Sequence, residues 1–322
     1  MKKVILATPR GFCAGVDRAI HVVERAIEKF GTPIYVRHEI VHNKFVVDTL
    51  KSEGVVFVDE LDEVPSGSVV IFSAHGVAEE IYADAERRGL QVLDASCPLV
   101  LKVHYSAKRH YAAGRHIILI GHAGHAEVIG TLGQLPPGAI TLIKNEDDAR
   151  TVEVPADKEL AYITQTTLSV AETRKIIDAL KQRFPNIIGP DAGDLCYATG
   201  NRQAAVLDLC SKVDMLLVVG AKNSSNSSRL MELGLEQGIP SHLIASVDDL
   251  EMEWFENIES VGISSGASAP EVLVQGVVDW IKTKFAPVEI ENFVKLVEST
   301  KFNLPKALQD GYFDLDGLTI FF

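Results

Sequence analysis

Three cysteines, Cys13, Cys97 and Cys196, each open the same run of sequence: a cysteine loop, an amphipathic helix, an apolar strand and a polar loop. Cys97 follows Cys13 by 84 residues and Cys196 follows Cys97 by 99, so each interval is about one small domain. After Cys13 the apolar positions Val16, Ile20, Val23, Ile27 and Phe30 recur at steps of three and four, which predicts a helix closed by Gly31 and Pro33. A strand over 33–37 and a polar loop reaching His42 come next. After Cys97 the pattern predicts a helix over 100–113, a strand over 116–121 and the loop His122–Glu127. After Cys196 it predicts a helix over 202–213, a strand over 215–220 and the loop Lys222–Ser227. The register holds, because His42, His125 and Asn226 lie 29, 28 and 30 residues beyond their cysteines.

Each unit then adds a second apolar strand that runs into small polar residues: 69–72 into His75, 160–164 into Thr166, and 261–265 into Ser268. Continuous β-branched runs alternating with helices predict an α/β chain of three pseudo-repeated αβ domains with mainly parallel sheets. The expected divisions are 1–97, 98–195 and 196–286, with a tail over 287–322. In such sheets ligands collect beyond the carboxyl ends of the strands, and every polar loop named above follows a strand.

Composition removes several classes. At 322 residues and 47 % hydrophobic content the chain can bury two or three cores. An excess of 44 acidic over 31 basic residues, net −13, with no basic stripe, argues against a nucleic-acid partner. The start Met1-Lys-Lys-Val-Ile-Leu-Ala imitates a signal peptide, but Pro9-Arg-Gly cuts its apolar run short. No stretch approaches the roughly 18 apolar residues of a membrane helix. Four widely spaced cysteines read as thiols of a reducing cytoplasm, not as a disulfide framework.

A single cysteine is by default a small buried hydrophobe, and Cys210, among Val206, Leu207 and Val213, fits that description. Cys13, Cys97 and Cys196 instead lie among small or turn-forming residues at loop-to-helix junctions, where backbone N–H groups and the helix dipole favour a thiolate. Structural zinc usually takes closely spaced cysteine pairs, which this chain lacks. Three soft thiolates from three units suit an iron–sulfur cube whose fourth iron is open to a substrate oxygen. Zinc held by three thiolates is the second reading.

His42, His75 and His125, with Thr166, Ser224, Ser225, Asn226 and Ser268, supply hydrogen-bonding groups at the same strand ends, although any one of them alone reads as a structural histidine, a turn or a cap. The spacing of Ser268 to Glu271 is a capping-box signature, and Ser224 precedes a second helix, so two helix N-termini stand ready for an oxyanion. With several donors beside them, they are suited to receive a diphosphate. No Walker motif and no Gly-x-Gly-x-x-Gly follows a strand. Glu127 is the carboxylate beside this constellation, and burial would raise its pKa toward that of a proton donor, with Thr166 to pass the proton onward.

Assembled, the motifs resemble those of the 4-hydroxy-3-methylbut-2-enyl diphosphate reductase family. The likeness runs from about Val4 to Ile281. It rests on Pro9-Arg-Gly-Phe-Cys-Ala-Gly-Val-Asp-Arg-Ala, Val41-His-Asn, Phe72-Ser-Ala-His-Gly-Val, Cys97-Pro-Leu-Val, Gly121-His-Ala-Gly-His-Ala-Glu, Thr164-Gln-Thr-Thr-Leu-Ser, Lys222-Asn-Ser-Ser-Asn-Ser and Gly266-Ala-Ser-Ala-Pro.

The resemblance implies a cloverleaf of three αβ domains around a central cavity and one [4Fe-4S] cluster on Cys13, Cys97 and Cys196. It implies a diphosphate among His42, His75, Ser224, Asn226 and Ser268, with Ser225 and His125 adjoining. Glu127 with Thr166 would protonate the leaving hydroxyl and the allylic carbon. The implied reaction takes two electrons and two protons, expels water and yields isopentenyl and dimethylallyl diphosphates. Its electrons come one at a time from reduced ferredoxin or flavodoxin. In two places the chain departs from the family: Gly200 stands where the family often has Thr, and beyond about Pro287 the likeness is loose, around Phe302-Asn-Leu-Pro-Lys. That tail is expected to fold back over a domain, and its end, Phe321-Phe322, carries no assigned role.

Overall fold

A computed structural model describes residues 1–190 and 196–309. The elements begin β1 (Lys3–Thr8), α1 (Ala14–Phe30), β2 (Ile34–Arg37), α2 (Lys44–Ser52), β3 (Val55–Val58), β4 (Val69–Phe72), α3 (Glu79–Arg87) and β5 (Gln91–Asp94). They continue α4 (Pro98–Ala112), β6 (His116–Ile120), α5 (Ala126–Leu132), β7 (Ile140–Ile143), α6 (Glu146–Thr151), β8 (Leu160–Thr164) and α7 (Val170–Arg183). The last are α8 (Tyr197–Cys210), β9 (Met215–Val219), α9 (Ser225–Glu236), β10 (Ser241–Ile244), β11 (Ser260–Ser265), α10 (Glu271–Phe285) and β12 (Glu289–Val294).

These form three sheets, ordered β10-β9-β11-β1-β12, β3-β2-β4-β5 and β7-β6-β8, and every strand pairing in them is parallel. The α/β class with parallel sheets therefore stands. The central strands β6 and β9 are buried along their whole length, as the runs Ile-Ile-Leu-Ile and Met-Leu-Leu-Val-Val require of strands covered on both faces.

Contacts divide the chain into two compact units. One comprises 1–13, 42–46 and 197–300 and holds the five-stranded sheet; the other comprises 14–41, 47–196 and the chain from 301 onward and holds the two smaller sheets. Strand β1, at the start of the first expected division, pairs with β11 and β12 rather than with its sequence neighbours. Strand β12 lies in the tail and supplies an edge of that same sheet. Phe321 and Phe322 fall outside the described residues.

Local structure differs from expectation at several points. Helix α8 starts at Tyr197, directly after its cysteine, and α1 and α4 likewise begin at Ala14 and Pro98, because each cysteine is the junction residue itself. In α1 the buried face is Gly15, Arg18, Ala19, Val22, Val23 and Ala26, whereas Val16, Ile20 and Ile27 are half-buried and Phe30 is exposed. The buried stripe thus includes an arginine, and Val16, Ile20, Ile27 and Phe30 lie to its side. Ser225 and Asn226 lie in the first turn of α9, and Glu127 lies in that of α5; none is a loop residue. Gly200 is half-buried near the start of α8.

Candidate active site

In the unit built on the five-stranded sheet, Cys13 follows β1, Ser224 follows β9 and Ser268 follows β11, and these three strands are neighbours. The Cys13 loop is fixed through its backbone: Gly11 N–H donates to Ser265 Oγ at 2.7 Å and Cys13 N–H donates to Ala267 O at 3.2 Å. Gly11 sits at φ +69°, a region where a side chain would be strained. Ser268 Oγ donates to His42 O at 3.0 Å, and Asn223 Nδ2 lies 3.5 Å from His42 Nδ1. The polar run from Cys13 through Ser268 and His42 to the start of α9 is thus continuous.

Ser224 caps α9, its hydroxyl accepting from Ser227 N–H at 3.3 Å. Ser227 is seated between glycines, and a Cβ on Gly266 would run into its Oγ. Asn226 is 4 % exposed, and both its Nδ2 and Oδ1 are buried without a hydrogen-bond partner. An unsatisfied buried amide is costly, roughly 1–3 kcal/mol, and points to a ligand that completes it. The expected capping box at Ser268 does not form: Pro270 occupies the cap of α10 with no side-chain bond, and Glu271 is drawn away into a two-pronged pair with Arg10 at 2.7 and 3.1 Å. A rigid fork meeting a carboxylate outcompetes a helix-end N–H for Glu271.

In the other unit Cys97 follows β5 and His75 follows the adjacent β4, while His125 and Thr166 follow the adjacent β6 and β8. Cys97 N–H donates to Ala74 O at 2.9 Å, which sets the cysteine beside His75. The His75 and His125 rings meet edge to face at 6.2 Å, and Ser73 Oγ is 3.2 Å from His75 Nδ1. His125 Nδ1 accepts the Glu127 N–H at 3.2 Å, so the neutral ring carries its proton on Nε2.

Glu127 is 2 % exposed; Thr166 N–H donates to its Oε1 at 2.7 Å and Thr166 Oγ1 pairs with its Oε2 at 2.9 Å. Burial pushes this carboxyl up to about 7, against the two Thr166 bonds that hold it down. A carboxyl with its pKa near neutral can both give and take a proton. The spacing of His122 to Glu127 marked this stretch, but only the fold shows that Glu127 is sealed from water.

All four cysteines are thiols. Cys13, Cys97 and Cys196 are half-buried at helix starts, with the residues just before Cys196 outside the described ones. Cys210 is buried in a core with Val206, Leu209 and Val213, and burial pushes its thiol up to about 11, as suits a packing residue; Leu207, expected beside it, is 39 % exposed and faces outward. Among the described residues no three His, Cys, Asp or Glu side chains crowd one point as ligands of a single ion must. A four-iron cube offers a separate iron to each thiolate, so its fit rests on the donor set, three thiols at positive helix ends.

Two residues escaped the sequence reading. Arg202 is fully buried and binds Gly11 O at 2.9 Å, while buried Arg18 binds Ser96 O at 3.0 Å. Helical periodicity assigns arginine to the solvent face, and their partners lie 78 to 191 residues away in sequence. Among the described residues no helix is long and apolar enough to cross a membrane.

A family model described as LytB protein matches residues 4–282. A 4-hydroxy-3-methylbut-2-enyl diphosphate reductase of Zymomonas mobilis is 55 % identical over 309 residues, covering 96 % of this chain and 90 % of that relative. One from Burkholderia pseudomallei is 56 % identical, covering 95 % and 97 %. The solved structure of the E-1-hydroxy-2-methyl-but-2-enyl-4-diphosphate reductase from Plasmodium falciparum superposes with a TM-score of 0.92 at 39 % identity, covering 95 % of this chain and 96 % of that one.

Proposed function

The chain belongs to the LytB protein family, and from that premise we infer that it reduces (E)-4-hydroxy-3-methylbut-2-enyl diphosphate to isopentenyl and dimethylallyl diphosphates, the last step of the non-mevalonate isoprenoid pathway. The balance requires the C4–O bond to break while two electrons and two protons enter. One proton leaves with the oxygen as water, and the other forms a new C–H bond. The proposed cofactor is one [4Fe-4S] cluster on Cys13, Cys97 and Cys196, which when bound supplies the electrons and a Lewis-acidic iron for the hydroxyl.

The observation that carries this reading is the buried Glu127–Thr166 pair. Hydroxide leaves poorly, and a neighbouring acid whose pKa burial raises toward neutrality lowers that barrier. Thr166 orients the carboxyl and offers a hydroxyl through which a proton can pass. His125, with Nδ1 engaged, presents Nε2–H as a donor. Asn226, Ser224, Ser225 and Ser268, with His42 and His75, are proposed to hold the diphosphate; the unpaired amide of Asn226 supports this most directly. Remote phosphate binding supplies orientation without touching the broken bond.

Reduced ferredoxin or flavodoxin in the cytoplasm is the proposed electron source, and the repeat units 1–97, 98–195 and 196–286 are proposed as three domains. The test is anaerobic reconstitution followed by an assay with the hydroxylated diphosphate and dithionite-reduced viologen. Substrate-dependent oxidation of the viologen with both products formed supports the reading. Conversion without reductant would make the chain a hydro-lyase, and a bound cluster with no conversion would make it a binding module.

A further inference from the structure

Helix α8, which follows Cys196, sends Arg202 to the backbone of the Cys13 loop: Nη2 and Nε donate to Gly11 O at 2.9 and 3.3 Å, and Nη2 reaches Phe12 O at 3.4 Å. Helix α1, which follows Cys13, sends Arg18 to the backbone just before Cys97: Nη1 donates to Ser96 O at 3.0 Å and Nη2 to Asp94 O at 3.2 Å. The helix after one cysteine thus grips the loop that presents another. Both arginines are also bound by the stretch after β12, Arg202 Nη1 donating in addition to Ala198 O at 2.9 Å within its own helix. Glu298 accepts from Arg202 Nη1 at 3.1 and 3.2 Å and from Asn201 Nδ2 at 2.9 Å, and Asn303 O accepts from Arg18 Nε at 2.7 Å.

A buried guanidinium left without its counter-charge is strongly destabilised and seeks water, which here means letting go of Gly11. Asp94 in turn braces the Cys97 loop, its Oδ1 accepting Ser96 N–H and its Oδ2 accepting the Tyr82 hydroxyl, each at 2.8 Å. None of these groups is proposed to touch substrate.

We propose that residues after β12 position the ligand loops, Glu298 acting on the Cys13 loop through Arg202 and, within the other unit, Asn303 acting on the Cys97 loop through Arg18. This rests on the cluster assignment above. A stretch beyond the residues that the family model matches is then part of the machinery that keeps the cofactor in place, and its two anchoring points are a carboxylate and a main-chain carbonyl. Partners of this kind behind metal ligands typically change metal retention by about 10–100-fold.

The test uses the full-length, anaerobically reconstituted protein and the variants Glu298→Ala, Glu298→Gln and Arg202→Lys. Iron and sulfide content, the rate of iron release to a chelator and the electron paramagnetic resonance of the reduced cluster are read at a temperature where circular dichroism shows each variant folded. Glu298→Ala and Arg202→Lys are expected to release iron about 10–100-fold faster than wild type with a shifted resonance. Glu298→Gln, which keeps the hydrogen bonds, is expected to recover most of the retention. Folded Glu298→Ala with wild-type release and resonance overturns the proposal. Should Glu298→Ala not fold, Arg202→Lys decides by the same criterion. Wild-type protein that takes up no iron refutes the cluster assignment instead.

Discussion

Glu127 is a carboxyl that the fold keeps close to neutrality, and its consequences can be worked through by sign. Its folded pKa, about 7, lies above the ordinary value of 4.5, so the native state prefers the protonated form. Stability from this preference is fully present below about 4.5 and is lost as pH rises through 7. Glu127→Gln should therefore be more thermostable than wild type at pH 8, by on the order of 1–3 kcal/mol, with the advantage shrinking toward pH 5. The same variant should bind substrate nearly normally yet turn over about 10²–10⁴-fold more slowly, and wild-type kcat should fall as pH rises through 7. Near-wild-type turnover of Glu127→Gln would remove the proton-donor role.

Asn226 makes the opposite case. Its buried amide has no hydrogen-bond partner within the protein, so Asn226→Ala should leave the melting temperature unchanged or higher while raising the substrate KM by about tenfold. A stability loss with unaltered KM would assign Asn226 to structure. Single replacements Cys13→Ser, Cys97→Ser and Cys196→Ser should each abolish the cluster, measured as iron per chain, whereas Cys210→Ser should retain it.

At the scale of elements, chemistry gathers where parallel strands end. Gly76, directly after His75, has φ +75°, and a Cβ there would lie 2.7 Å from the buried His104 ring. Gly76→Ala should cost about 1–3 kcal/mol in chemical denaturation and, by displacing His75, raise KM. Unchanged stability would show that the loop gives way freely.

The strands and the end at which the polar residues sit were readable, since β-branched runs, small polar residues and cysteines alternate plainly along the chain. Helix starts were less so. The cysteines read as loop-to-helix junctions, but the apolar pattern resumes only a few residues later, at Val16 and Val100, so the first turns at residues 14, 98 and 197 were read as loop. The Ser268 to Glu271 spacing looked like a capping box because sequence spacing alone does not reveal that Arg10 competes for the carboxylate. Arg18 and Arg202 were hidden for the same reason: a buried charge is defined by partners far along the chain.

At the scale of the whole molecule there are three parallel sheets among the described residues, and their strands are shared out differently from the cysteine intervals. Strand β1 lies between β11 and β12, a pairing of segments more than 200 residues apart that no local pattern encodes. Strand β12 is an exposed edge with an irregular burial pattern, which is why the tail did not read as sheet. Each unit nevertheless carries a continuous run from one cysteine to hydrogen-bonding groups: Cys13 to Ser268, His42 and Ser224 in one, Cys97 to His75, His125 and Glu127 in the other.

The central claim is that three thiolates hold a four-iron cube and leave one iron for the substrate hydroxyl. Mössbauer spectroscopy of protein reconstituted with iron-57 tests it most directly. The account predicts one iron distinct from the other three, and a change confined to that iron when the hydroxylated diphosphate is added. Four equivalent irons that ignore the substrate, or protein that binds no iron, would contradict it.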